Sequence, residues 1–178
     1  QAHRTADHLR GKPQGLVVLP TRELAKQVAV EITMAAKYRN VRVIEVYGGR
    51  AYEPQQEALK KGAEIVVGTP GRLIDLQRHG SLDLSAIRTV VLDEADEMLD
   101  LGFLEDVETI LSKTPPRRHT MLFSATMPGP VVAMARRYMS KPTHIRAQDP
   151  TDQGATVKTT RQVVYRCHAL NKVEVVSR

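Results

Sequence analysis

The sequence predicts an α/β domain, an open, mostly parallel sheet with helices on both faces. Three observations carry that expectation. Short apolar runs alternate with longer segments of helical periodicity along most of the chain. Most of those runs are near-continuously apolar, as strands covered on both faces should be. Glycine, proline and charged residues follow the runs directly, and ligands in such sheets gather beyond the C-terminal ends of the strands.

The runs "LVVLP" (16–20), "VRVIEV" (41–46), "EIVVG" (64–68), "TVVLD" (89–93), "HTMLFS" (119–124) and "THIRA" (143–147) read as strands. Helices are expected over 22–38, 52–62, 71–80, 96–113 and 128–140. In the first, Leu24, Val28, Ile32 and Ala35 recur at helical spacing, and Thr21 suits the capping position before it. Pro70 is preorganised for the first turn of the third. Met98, Leu99, Phe103, Val107, Ile110 and Leu111 have the spacing of a core-facing stripe in the fourth. From about Gln148 the pattern changes: "QDPTDQGATVKTTRQ" reads as a polar linker, and "VVYRCHALNKVEVVSR" as a fresh strand and the start of a helix.

Composition narrows the function. The 178 residues suffice for one full core. A formal net charge of +6 and a pI near 9.6 are compatible with a polyanionic partner. With no Trp, two Phe and five Tyr, platforms for stacking bases are scarce. Cys167 is the single cysteine, which excludes an internal disulfide and a multi-cysteine zinc site and fits a reducing, cytoplasmic setting. The apolar stretches are too short to cross a bilayer, so no membrane partner is expected. His119, before an apolar run, reads as a structural histidine.

The acidic stretch "VVLDEADEML" (90–99) poses the sharpest question, because clustered carboxylates repel one another and are costly to bury unpaired. Asp93, at the strand's end, is placed to hold Mg²⁺ directly or through water. Glu94 beside it is placed to orient and deprotonate a water for attack on a phosphoryl group. Asp96 cannot face the same way as Glu94 and is expected to pair with a neighbouring loop. Favourable acids at a helix N-terminus explain Asp96 and Glu97 equally well, but not two acids ending an apolar strand.

"PTRELA" (20–25) places a hydroxyl, a guanidinium and free backbone N–H groups where a phosphate would be gripped, or where an ordinary turn and cap would stand. "YGGR" (47–50) lets a backbone approach a ligand closely. "TPGR" (69–72) repeats the scheme of Thr21 and Arg22. Together these suggest a track for successive phosphates with no base reader in it. In "FSATMP" (123–128), Ser124 and Thr126 either cap a strand end or hydrogen-bond to the Asp96 region.

In order, "PTRELAKQV", "GG", "TPGR", "DEAD" and "SAT" resemble the first-domain motifs of DEAD-box ATP-dependent RNA helicases, over about residues 16–147. The resemblance implies a RecA-like fold and ATP with Mg²⁺ as cofactors. It implies RNA as a partner, contacted through its backbone and without sequence preference. Asp93 and Glu94 would serve Mg²⁺–ATP binding and water activation. Asp96, Ser124 and Thr126 would couple ATP state to strand separation between domains. Pro20, Thr21, Arg22, Gly49, Thr69, Gly71 and Arg72 would line the RNA path.

Residues 1–147 would then be a first RecA-like helicase domain, incomplete at its N-terminus. Residues 148–161 would be an interdomain linker, and 162–178 the start of a second RecA-like domain that partners the first. No G-x-x-x-x-G-K-[ST] loop occurs; "RGKPQG" (10–15) is the nearest string and lacks the upstream glycine and the hydroxyl after Lys12. The expectation is therefore a piece of a longer helicase, inactive alone. The rival readings are a non-catalytic RNA-binding or scaffold fragment, and a helicase-like ATPase acting on DNA.

Overall fold

The computed structural model describes residues 12–146. By its contacts the chain divides into Gln1–Lys141 and Pro142–Arg178, and the fold that follows is that of the first unit. The linker and second-domain segments expected beyond residue 147, Cys167 among them, lie outside the described residues.

Five strands form one parallel sheet: β1 (Gly15–Val18), β2 (Val43–Val46), β3 (Ile65–Gly68), β4 (Thr89–Leu92) and β5 (His119–Leu122). Their spatial order is β2-β3-β1-β4-β5. Between them run α1 (Arg22–Ala35), α2 (Tyr52–Lys60), α3 (Pro70–Arg78), α4 (Ala95–Asp100) and α5 (Leu104–Ser112), with α6 (Gly129–Tyr138) after β5. This is the open parallel α/β arrangement that the alternating runs predict.

The strands alternate their side chains between two cores, as a period of two requires. Leu16, Val18, Val66, Val90 and Leu92 face one core with Leu73, Leu76, Met98, Ile110, Leu111 and Met134 from the helices. Val17, Leu19 and Val67 face the other, against Ala25 and Ala29 of α1. A fully buried leucine or methionine in the larger core contributes about 1.5–3 kcal/mol relative to an exposed one.

Two expectations need correction. The helix expected over 96–113 is two helices, because Gly102 takes φ +79 and ends α4. Its N–H donates to Leu99 O (2.9 Å), and Phe103 N–H donates to Met98 O (2.8 Å). That pairing closes a helix with a left-handed glycine. The sixth strand is not formed over residues 143–146, and residue 147 lies outside the described residues. A strand needs a neighbour for its backbone donors and acceptors, and none of these residues has a ladder partner.

Candidate functional site

Register sets the geometry of the site. Val18 lies opposite Gly68 and Leu92, Gly68 opposite Val46, and Leu92 opposite Leu122. All five strands therefore end in one row, and the loops that follow leave the sheet along one edge. Those loops, with the first turns of the helices after them, carry Pro20–Arg22, Gly48–Arg50, Thr69–Arg72, Asp93–Glu94 and Ser124–Thr126. The motifs that the sequence scatters over a hundred residues are thus neighbours.

One half of the edge is formed by the loops after β2, β3 and β1. Gly68 allows the close approach of β2 to β3, since a Cβ there would lie 2.4 Å from Val46 O. Pro20 is buried. Thr21 caps α1, its hydroxyl accepting from Leu24 N–H at 3.4 Å. Arg22 is exposed and pairs with Glu23 at 2.6 Å. Gly49 takes φ +76, and a Cβ on it would sit 3.4 Å from Arg22 Nη1, so these two loops touch. Thr69 precedes α3 with its hydroxyl free of any capping bond, and its N–H donates to Val46 O at 3.1 Å. Open space surrounds the position a Gly71 side chain would take.

Arg72 is placed differently from its companions. It is 8% exposed, donates from Nη1 to Arg50 O (2.9 Å) and stacks 4.0 Å over the Tyr52 ring. Tyr52 in turn donates to Asp75 Oδ2 at 2.8 Å, a bond that with burial raises the phenol's pKa. The guanidinium thus holds the neighbouring loop from beneath.

The other half is formed by the loops after β4 and β5, tied together by hydrogen bonds. Ala95 N–H donates to Phe123 O (3.1 Å), and Asp96 N–H donates to Ser124 Oγ (3.0 Å). Thr126 donates to Asp96 Oδ2 from both its N–H and its hydroxyl, each at 2.8 Å. Burial pushes the Asp96 carboxyl upward, but the bonds from Thr126 and Ser124 outweigh it and hold the group at about 2. Asp96 therefore does pair with a neighbouring loop, and Ser124 and Thr126 are its partners.

Asp93 and Glu94 are left without such compensation. Asp93 Oδ1 accepts Glu94 N–H at 3.0 Å, and neither carboxylate forms an ion pair among the described residues. Glu94 stands in the left-handed region at φ 53, ψ 52, exposed at the start of α4. A bulky residue rarely adopts that conformation, which costs about 1–2 kcal/mol. No group of three His, Cys, Asp or Glu suited to a metal occurs among the described residues. The donor set still fits Mg²⁺, which is commonly held by one or two carboxylates together with substrate phosphates and waters.

His119 is exposed at the start of β5 and takes no part in this edge. Gln55, Tyr52 and Gly68 do shape it, although no motif pointed to them. A polar residue inside α2 carries no periodic signal, and only Gly68 left a trace, as a glycine ending a strand.

Comparison with known proteins accords with this geometry. Residues 2–135 match the family described as DEAD/DEAH box helicase. The chain is 46% identical over 165 residues to the DEAD-box ATP-dependent RNA helicase CshA of Geobacillus kaustophilus, covering 93% of this chain and 35% of that protein. It is 44% identical over 167 residues to the ATP-dependent RNA helicase DeaD of Haemophilus influenzae, covering 93% and 27%. A hypothetical ATP-dependent RNA helicase from Sulfolobus tokodaii superposes with TM-score 0.70 at 44% identity, over 74% of this chain and 39% of that one. A DEAD box protein from Methanococcus jannaschii gives 0.70 at 45%, over 73% and 36%. The chain spans about a third of the length of the proteins it matches.

Proposed function

The chain belongs to the DEAD/DEAH box helicase family, and on that premise we propose that the protein containing it couples ATP hydrolysis to the local separation of RNA duplexes. The observation that carries the proposal is the row of strand ends, which sets two carboxylates without an ion-pair partner among the described residues on the same edge as the Thr21–Arg22, Gly48–Arg50 and Thr69–Arg72 segments.

In this reading the two halves of the edge divide the labour. Thr21, Arg22, Gly49, Thr69 and Gly71 offer backbone N–H groups, hydroxyls and one guanidinium to successive phosphates of a single strand. None of them reads a base edge, so binding is indifferent to sequence. Pro20 and Arg72 support this path from within.

Asp93 would hold Mg²⁺ through water, with Glu94 close by. Bound Mg²⁺ would neutralise charge on the phosphate oxygens of ATP. Glu94 would orient the attacking water and take its proton on a carboxylate oxygen. Asp96 passes the state of that half to the Ser124–Thr126 loop, which we assign to coupling with a second RecA-like domain. The 178 residues hold no phosphate-cradling G-x-x-x-x-G-K-[ST] loop, so the activity is proposed for the longer protein and not for this piece alone. The division into residues 1–147, a linker over 148–161 and a second domain from 162 belongs to the same proposal. No helix among the described residues is long and apolar enough to cross a membrane, and we place the protein in the cytoplasm.

The test is ATP turnover by the complete protein with matched single strands of RNA and DNA. Stimulation by RNA well above that by DNA is expected. Stimulation by DNA above that by RNA would move the substrate to DNA, and absence of turnover with either strand would leave a non-catalytic binding module in its place.

A further inference from the structure

The loop from Tyr47 to Ala51 is fixed at both ends by one side chain. Gln55, on α2, is 3% exposed. Its Oε1 accepts Tyr47 N–H at 3.0 Å, and its Nε2 donates to Ala51 O at 3.0 Å and to Tyr47 O at 3.4 Å. Every one of those bonds goes to backbone of the loop. An amide buried in this way is costly unless satisfied, so the loop and the amide hold each other in one arrangement. Arg72 adds a third point by donating to Arg50 O.

What the bracket leaves out is informative. Gly48, Gly49 and Arg50 are exposed, and their three successive N–H groups make no hydrogen bond among the described residues. With Gly49 at φ +76, the backbone turns there beside Arg22. Consecutive free N–H groups in such a turn, with a guanidinium alongside, suit an oxyanion.

We propose that Gln55 is a positioning residue for nucleic-acid binding. Its buried amide pins Tyr47 and Ala51 so that the N–H groups of Gly48–Arg50 meet one phosphate of the bound strand. The inference rests on the reading of this edge as an RNA path and adds to it a residue outside every motif in the sequence. Gln55 touches neither RNA nor nucleotide, and its effect runs through the loop.

The experiment uses the complete protein, with ATP turnover measured against the concentration of a single-stranded RNA. Gln55→Met keeps the volume and the helix and removes the amide. Gln55→Glu keeps the acceptor for Tyr47 N–H and removes the donor to Ala51 O. The RNA concentration for half-maximal stimulation should rise about tenfold in the first and about threefold in the second. Turnover at saturating RNA should stay within about twofold of the wild type, and the salt slope of RNA binding should fall by about one phosphate contact. A merely structural role would not split the two parameters in this way. Half-saturation within twofold of the wild type in both variants would overturn the proposal, as would loss of saturating turnover at unchanged half-saturation. If Gln55→Met does not fold, Gln55→Glu decides by the same criterion. A wild type that RNA does not stimulate would overturn this proposal and the functional reading together, whereas a stimulated wild type with indifferent variants would overturn this one alone.

Discussion

The two halves of the sheet's C-terminal edge are built on opposite principles. After β2, β3 and β1, the loops are clamped by hydrogen-bonded side chains: Gln55 beneath Tyr47 and Ala51, Arg72 beneath Arg50, Thr21 at the start of α1. After β4, the chain leaves Asp93 and Glu94 without a positive partner and holds Glu94 in a left-handed conformation. The first half is a hydrogen-bonded surface, which the proposed function assigns to a ligand that varies in sequence but not in backbone. The second keeps charge and a left-handed backbone at Glu94, which the proposed function assigns to the reaction. Asp96 bridges the contrast, since it is acidic and its Oδ2 is hydrogen-bonded to the loop of the neighbouring strand.

The largest effect expected is on the strand pairing that frames the first half. Gly68→Ala would drive a Cβ into Val46 O and spread β2 from β3. Chemical denaturation should register a loss of about 3 kcal/mol, at the upper end for overpacking a tight site. A loss below about 0.5 kcal/mol would mean that the first half is less tightly framed than described.

Asp96 gives the next effect, and it depends on pH. Because the folded carboxyl is held at about 2, below its unfolded value, it stabilises the fold fully above about pH 4. That stabilisation is lost as pH falls through about 2. Asp96→Asn should therefore cost about 1.5 kcal/mol at neutral pH, and the difference from the wild type should vanish on acidification. A difference that persists at pH 2 would break the link between the Thr126 bonds and the charge.

The strained residue sharpens the comparison from the other side. Glu94→Gly relieves the positive φ and should raise stability by about 1 kcal/mol while removing the carboxylate proposed to activate water. A destabilised variant would show that the strain at Glu94 is compensated by contacts of its side chain. The smallest effect belongs away from the edge altogether. The Arg137–Glu108 pair, at 3.1 Å on the surface, should lose less than about 0.5 kcal/mol in Glu108→Gln.

Much of this was legible in the sequence, and the reason is physical. Five of the six β-rich runs gave strands, and parallel strands must end at a common edge, so "PTRE", "GG", "TPGR", "DEAD" and "SAT" converge once the fold is α/β. Gly102 carried a helix-stop signal that the long apolar periodicity of 96–113 masked. The direction of Arg72 was not legible, because an arginine after a strand reads as a ligand group whether it points outward or stacks beneath a loop on Tyr52. Nor was Gln55, whose bonds are made to residues in the preceding loop and leave no pattern in its own helix. The left-handed turn at Glu94 also escaped, since glycine and asparagine are the residues that announce one.

The division of the edge is tested most directly by one pair of curves on the complete protein, ATP turnover against RNA concentration for Arg22→Ala and for Glu94→Gln. Arg22→Ala should shift half-saturation to higher RNA with turnover at saturation largely kept. Glu94→Gln should lower turnover by about 10²-fold or more at nearly unchanged half-saturation. If both substitutions move the same parameter, or if Glu94→Gln turns over at the wild-type rate, the edge is not divided as described.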